Sequence, residues 1–468
     1  MSREKELVKN TIVLGVGNFL PKIVSIVTLP ILTAGLTKAE YGLYDLIATL
    51  IMLLMPIATL QIQSAAFRFL IDCRNNHEKS SEIISNIFVV TIPIALVTSV
   101  IIQGFFGDET LIVRCAISLY FIADSLYLTS GQIARGLGGN KVYSVASILV
   151  SSTNMIGIVL GISILKAGMP AVLLSLTVAN SIGTIIIVYK MQIISYLSYK
   201  ICSVKKIKEL LSYSWPMVPN NLSNWVLKLS DRLVITAVLG VEANAIYAVA
   251  NKIPNLLSLA QLVMVMAWQE NASIAVKDKD ADKYFSKLFD IILSLMVGVT
   301  AVLIAFTPVM FRILIRGDYD QAYTQMPILI LGMFFYCMSA FQGGIYVAHK
   351  KTKSVGITTM TAAGINLIID LLFVKSWGIT AGSISTLAAY FALYIFRMHD
   401  SLKFQPMDYK VVKQVGLFVF LACMLLMCYL RNFYVDIINA CIGIVAFCIL
   451  NRRLIVSIFQ KLLKMKEK

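Results

Sequence analysis

Charge is what this sequence has least of. Only 14% of its 468 residues are Asp, Glu, Lys or Arg, where a soluble protein carries about 25%. A water-exposed surface needs many ions, so the scarcity excludes a soluble cytosolic enzyme. Hydrophobic residues make up 58% and mean hydropathy is +0.80, which excludes disorder, whose signature is low hydrophobicity. Histidine is nearly absent. His77, His349 and His399 all fall in polar segments, so no imidazole is available inside a bilayer as proton relay or metal ligand. The eight cysteines form no C-x-x-C and read as small buried hydrophobes.

Catalytic signatures are missing too. There is no P-loop, H-E-x-x-H or G-x-S-x-G, so ATP hydrolysis by this chain is not expected, nor is an enzyme. Asp278, Asp280 and Asp282 imitate a calcium loop, but Lys283 and Phe289 stand where Gly and Glu are needed. Gly15 and Gly17 imitate a dinucleotide turn without a strand or a third glycine.

What is present is a succession of apolar runs. A bilayer core of about 30 Å takes about 20 apolar residues per helix. Such runs predict helices over 10–35, 43–66, 84–106, 111–134, 143–165, 169–190, 214–240 and 243–269. The series continues over 288–309, 326–348, 354–374, 378–398, 412–430 and 434–450. The expectation is an all-α polytopic membrane protein of fourteen transmembrane helices. The first run is too long for a cleaved signal peptide, and no A-x-A site follows it.

Basic residues give the orientation. Segments on the side of the N-terminus hold 30 Lys and Arg, and opposite segments hold 7, with four more inside spans. Positive loops stay cytoplasmic, so both termini are expected there. The same bias accounts for the net charge of +16 through topology and anionic-lipid contact, with no nucleic acid as partner.

A Lys-rich connector at 191–213 separates six helices (1–190) from six more (214–399), and 400–468 adds two helices and a basic tail. A weak repeat crosses the connector. Thr33, Ala34, Leu36 and Tyr44 recur 203 residues later as Thr236, Ala237, Leu239 and Tyr247, with Asn18 over Asn221. Two pseudo-symmetric lobes of parallel topology, rocking about a shared cleft, are the architecture of a secondary transporter. Pro21, Pro30, Pro56, Pro216, Pro219 and Pro254 punctuate the helices expected to line it.

Seven ionisable residues lie within spans: Lys22, Asp124, Lys228, Asp231, Arg232, Lys252 and Asp370. Each would cost about 2.5–3.5 kcal/mol facing lipid, so they are expected to face protein or a wet cavity. Asn221, Asn224, Lys228, Asp231 and Arg232 fall in one stripe of about 100°. Asn18 shares a stripe with Lys22, and Asn251 and Asn255 align with Gln269 beside Lys252. Asp124 lines up with Tyr120, Tyr127 and Arg135, and Asn366 with Asp370. Lys228 and Asp231, three apart, are also spaced to neutralise each other. Asp370 lies near a helix end, where a solvated or snorkelled carboxylate competes with an ion-coupling role.

Four intramembrane cations against three anions, with Arg68 and Arg135 near the cytoplasmic mouth, describe a cationic cavity lined by amides. Pyrophosphate is suited to Lys and Arg, and sugar hydroxyls to Asn, Gln and Ser. A lipid-linked sugar fits such a chamber, its tail remaining in the bilayer.

The stretches "LTKAEYGLYDLIATL" (36–50), "KLSDRLVITAVLG" (228–240) and "AIYAVANKIPNLLSLAQ" (245–261) resemble the Wzx-like polysaccharide flippases of the MOP superfamily, which also holds MATE exporters and lipid II flippases. The resemblance implies two lobes of six helices plus two. It implies alternating-access translocation of undecaprenyl-pyrophosphate-linked oligosaccharide across a bacterial inner membrane, for O-antigen, capsule or exopolysaccharide. Partners would be membrane lipids and a polysaccharide polymerase. The resemblance carries candidate site roles to Lys22, Lys228, Asp231, Arg232 and Lys252. No cofactor is implied beyond proton or sodium coupling, for which Asp124, Asp231 and Asp370 are the candidates. Two rival readings remain: a MATE-type drug or cation antiporter, and a membrane-embedded glycan polymerase or ligase using the loop of Arg312, Arg316, Asp318 and Asp320.

Overall fold

The computed structural model describes residues 21–74, 76–259, 261, 268, 272, 275, 276, 280–349, 351–452, 455 and 456. Among the described residues there is no strand, and eleven helices are long and apolar enough to cross a membrane. Every one of the fourteen sequence spans overlaps a described helix. The protein is an all-α, multi-pass membrane protein. Its chain forms two compact units, 1–225 and 226–468.

The first unit holds α1 (Pro21–Gly35), α2 (Lys38–Thr59), α3 (Ile62–Cys73), α4 (His77–Phe105) and α5 (Leu111–Gly136). It continues with α6 (Asn140–Ile158), α7 (Gly168–Lys190), α8 (Val204–Ser214) and the start of α9 (Met217–Leu239). Helix α2 starts on a capping box: Glu40 N donates to Thr37 Oγ1 at 3.2 Å, and Thr37 N donates to Glu40 Oε2 at 2.9 Å. The second oxygen of Glu40 accepts from Met169 N at 3.3 Å, joining α2 to the start of α7. Gly168 makes room for that carboxylate, since a Cβ there would stand 2.3 Å from Glu40 Oε1.

The second predicted span is in fact two helices. Leu60 and Gln61 adopt left-handed φ of +47° and +57°, which break α2 from α3 at about 1–3 kcal/mol of strain each. Helix α6 widens into a π segment, Val159–Ile164, before it ends. The eighth predicted span is interrupted as well. Its helix α10 (Val241–Ala250) stops four residues before Pro254, which opens a 3-10 turn, Pro254–Leu256. The missing proline N–H explains the stop.

The second unit continues from α9 through α10, α11 (Ala281–Leu314), α12 (Asp320–Ala348) and α13 (Thr352–Trp377). It ends with α14 (Ile379–Ser401), α15 (Val411–Tyr429) and α16 (Phe433–Leu450). Helix α14 packs along both α12 and α13, and α16 along α11. Apolar side chains cover the outward faces: Val100, Leu371, Leu372 and Val412 are 62–89% exposed. Such an apolar exterior belongs in lipid rather than water.

Arg397 is one of the 30 basic residues that the sequence assigns to segments outside the membrane on the side of the N-terminus. It is not in a loop but 7% exposed inside the second unit. From α14 its Nε and Nη2 donate to Thr358 and Thr359 Oγ1 of α13 at 3.2 and 3.0 Å, and its Nη1 to the Ser339 carbonyl of α12 at 3.0 Å. Removing the guanidinium deletes three buried hydrogen bonds that tie α14 to α12 and α13. Arg397→Met is expected to destabilise the solubilised protein by about 1–3 kcal/mol, seen as a lower midpoint in thermal unfolding. An unchanged midpoint would refute that role.

Candidate functional site

In the second unit the buried polar groups gather around two carboxylates. Asp231 on α9 is 4% exposed and Asp370 on α13 is 0% exposed. The Tyr247 hydroxyl on α10 donates to Asp231 Oδ2, and Thr386 Oγ1 on α14 donates to the same oxygen at 3.2 Å. Ser385 donates to Asp370 Oδ1 at 2.6 Å, while Asp370 Oδ2 is buried with no hydrogen-bond partner among the described residues. Asn366, 1% exposed, links the two sides: its amide donates to Ser385 at 3.2 Å and its oxygen accepts from Ser230 at 3.2 Å.

Small residues make this convergence possible. The Gly382 carbonyl accepts from Tyr247 at 3.1 Å. A Cβ on Gly382 would stand 2.9 Å from Ile235 Cδ1 and 3.1 Å from the Tyr247 ring, so α14 approaches α9 and α10 only as glycine. The resulting set is all oxygen: two carboxylates, several hydroxyls, an amide and a backbone carbonyl. Among the described residues no three His, Cys, Asp or Glu meet in one place. Hard oxygen donors of this kind suit a proton or a small hard cation rather than a transition metal.

Lys228 does not neutralise Asp231. It is an exposed residue of α9 whose ammonium lies 4.9 Å over the Tyr336 ring, and among the described residues no carboxylate pairs with it. Arg232 is half-buried, its backbone N–H donating to Asp231 Oδ1 at 2.9 Å. Lys252 is half-buried and has a partner of its own. Asn251 turns its amide back onto the Tyr247 carbonyl at 3.0 Å, and Asn255 is exposed. Asp370 is not the solvated helix-end carboxylate its position suggested.

The first unit has its own carboxylates, one half-buried and one buried. Asn180 on α7 donates to Asp124 Oδ1 on α5 at 3.1 Å. Asp45 on α2, 4% exposed, is a second, which the sequence reading missed. Arg135 closes α5 between two rings, 4.9 Å from that of Phe67 and 5.5 Å from that of Tyr143. Arg68 is exposed and pairs with Asp72 at 2.6 Å, and Lys22 is half-buried with a partner. Asn221 and Asn224 donate to the carbonyls one turn back, Met217 and Asn220, at 3.1 and 2.9 Å. Asn18 and Gln269 lie outside the described residues.

Sequence reasoning also passed over Tyr247, Ser385, Thr386 and Ser230. The run "GSISTL" (382–387) carried a signal, since small hydroxylated residues at helical spacing mark close helix contacts in membranes.

The arrangement of helices matches known transporters. The lipid II flippase MurJ in an inward closed conformation aligns with a TM-score of 0.69 at 16% identity, over 95% of this chain and 100% of that one. An inward-facing multidrug resistance MATE family transporter aligns at 0.64 and 15% identity, over 83% and 93%. A MOP superfamily transporter from Pyrococcus furiosus aligns at 0.60 and 14% identity, over 84% and 94%. The protein therefore shares the fold of these flippases and transporters.

By sequence the chain belongs to the polysaccharide biosynthesis protein family, whose model matches residues 7–269. The MatE model matches residues 216–372. An uncharacterized membrane protein of Methanocaldococcus jannaschii is 28% identical over 206 residues, 42% of this chain. The chain spans 40% of that relative's length. The named structural relatives are flippases and transporters rather than enzymes.

Proposed function

We propose that this protein flips undecaprenyl-pyrophosphate-linked oligosaccharide across a bacterial inner membrane by alternating access, for assembly of a surface polysaccharide. The observation that carries the reading is Lys228: an exposed ammonium on a membrane helix, held only by the Tyr336 ring among the described residues. Such a cation is available to an anionic cargo, and phosphate oxygens are its natural partner. Arg232, one turn along the same helix, adds a guanidinium able to bind phosphate in two places at once. Membership of the polysaccharide biosynthesis family supports a glycan as the rest of the cargo. The lipid tail needs no protein chamber, since it is already in its solvent.

The Asp231–Asp370 cluster supplies the coupling in this proposal. Two buried carboxylates linked through Tyr247, the Gly382 carbonyl and Ser385 cannot both stay ionised without a compensating cation or proton. Asp370 Oδ2, buried without a hydrogen-bond donor, is the group left to receive one. Asp124, held by a single amide, is a second candidate. The lysine-rich loops support a reading with both termini in the cytoplasm. Membrane lipids and a downstream polymerase are the expected partners.

Vesicles test the cargo. The protein is reconstituted with a lipid-linked pyrophosphoryl oligosaccharide in the inner leaflet, and exposure of its sugar to an external glycosidase is followed. Sugar exposed faster than in empty vesicles, and faster with an imposed proton or sodium gradient, is expected. The MatE match over 216–372 favours one other reading, an ion-coupled exporter. Efflux of cationic dyes with no sugar exposure would replace the flippase by that exporter.

A further inference from the structure

At the helix ends opposite its lysine-rich loops, the second unit carries a cavity of about 370 Å³ where α11 ends and α12 and α16 begin. That volume falls in the small-molecule range. Its lining is unusual in charge. Arg312, Arg431, Asp320 and Asp436 all border it, two of each sign, yet none of the four joins an ion pair among the described residues.

The lining is built rather than incidental. Arg431 takes a left-handed φ of +46°, a conformation that a residue other than glycine adopts at a cost. Its guanidinium stacks 4.7 Å over the Tyr323 ring, and its Nη2 donates to the Asp320 carbonyl at 3.3 Å. Tyr323 is fixed in turn by its hydroxyl, which donates to the Cys428 carbonyl at 3.1 Å, and by the edge of Phe311 at 5.4 Å. Asp436, in the first turn of α16, has a buried Oδ1 with no hydrogen-bond partner among the described residues. The cavity thus offers guanidinium N–H groups, a carboxylate oxygen in want of a donor, and an apolar wall.

Depth narrows the choice of ligand. Phe433 and Tyr434, at the start of α16, are 68% and 75% exposed, and exposed aromatics at helix ends sit at headgroup level. Val309, Ile313, Ile437 and Ile438 beside them are 47–59% exposed, an apolar surface for acyl chains. These surroundings suit a lipid whose headgroup carries both charges.

We propose that this cavity is a docking site for the headgroup of a zwitterionic aminophospholipid, a phosphoethanolamine. Its phosphate lies between Arg312 and Arg431, and its ammonium donates to Asp436. The balance of charges disfavours an anionic headgroup, which would leave both carboxylates uncompensated. A choline headgroup has no N–H to give the buried Asp436 oxygen. The site depends on the protein lying in a membrane and not on what the transporter carries.

Native mass spectrometry tests it. The full chain is released from nanodiscs holding equal parts phosphatidylethanolamine, phosphatidylglycerol and phosphatidylcholine with identical acyl chains. Phosphatidylethanolamine is expected to be retained about tenfold over the other two, the worth of one charge-assisted hydrogen bond. Arg431→Ala and Asp436→Asn should each bring the ratios close to one. Should Arg431→Ala fail to insert, Asp436→Asn, which preserves shape, tests the same headgroup contact. Retention without headgroup preference overturns the proposal, as does a preference that survives Asp436→Asn. Displacement of the lipid by equimolar soluble phosphoethanolamine would overturn the assignment to a lipid.

Discussion

With Asp231→Asn and Asp370→Asn combined, the protein is expected to unfold at a higher temperature in cation-free buffer and to lose all stabilisation by the coupling cation proposed above. Both halves of this result follow from the same geometry. The two carboxylates are 4% and 0% exposed, and each buried ion carries an effective desolvation penalty of several kcal/mol. Asparagine keeps the shape and still accepts from Ser385, Thr386 and Tyr247 while removing both charges. The empty site therefore becomes cheaper to fold. In the unaltered protein a cation at 100 times its Kd adds about 2.7 kcal/mol, and the double variant has nothing with which to hold it. Gradient-driven translocation should fall by at least about 100-fold, the same free energy expressed as a rate. Thermal unfolding in sodium, potassium and at lowered pH identifies the ion. Retained stabilisation by cation or proton in the double variant would show that coupling lies elsewhere, with Asp124 the next residue to change.

The second large effect is expected at the cations. Lys228→Ala with Arg232→Ala should cut sugar exposure in vesicles by at least about 100-fold, because two charge-assisted contacts to phosphate contribute about 1.5–3 kcal/mol each. Insertion and yield should change little at Lys228, an exposed side chain whose contact with the Tyr336 ring is worth only about 0.5–1 kcal/mol. Arg232 is half-buried beside Asp231, so its single variant is measured separately. Normal amounts of double variant that expose sugar at the original rate would remove these cations from the cargo path.

These residues also show how far the sequence alone reaches. Helix positions were legible because a bilayer demands long apolar runs, and lipid leaves no other way to satisfy the backbone. The breaks were less so. Pro254 announces one, but nothing in Leu60–Gln61 signals a left-handed pair. Intramembrane charge picked out Asp231 and Asp370, yet not their partners, since Tyr247, Ser385 and Thr386 come from separate stretches and look like ordinary helix residues. Spacing alone suggested that Lys228 balances Asp231, and tertiary contacts overrode it. Arg397 was hidden by its place near a helix end, where a cation normally reaches water. Here the opposing helix α13 supplies hydroxyls instead.

That arginine has a mechanical consequence. Its three bonds run from α14 to two different neighbours, α12 and α13, all away from solvent. Sliding any one of these helices by a single turn, about 5.4 Å, would strip a buried cation of its acceptors with no water to replace them. The guanidinium works as a bolt: the trio must tilt or translate together, as one rigid plank. Whatever motion carries cargo across, its give has to come from seams that no such rivet crosses.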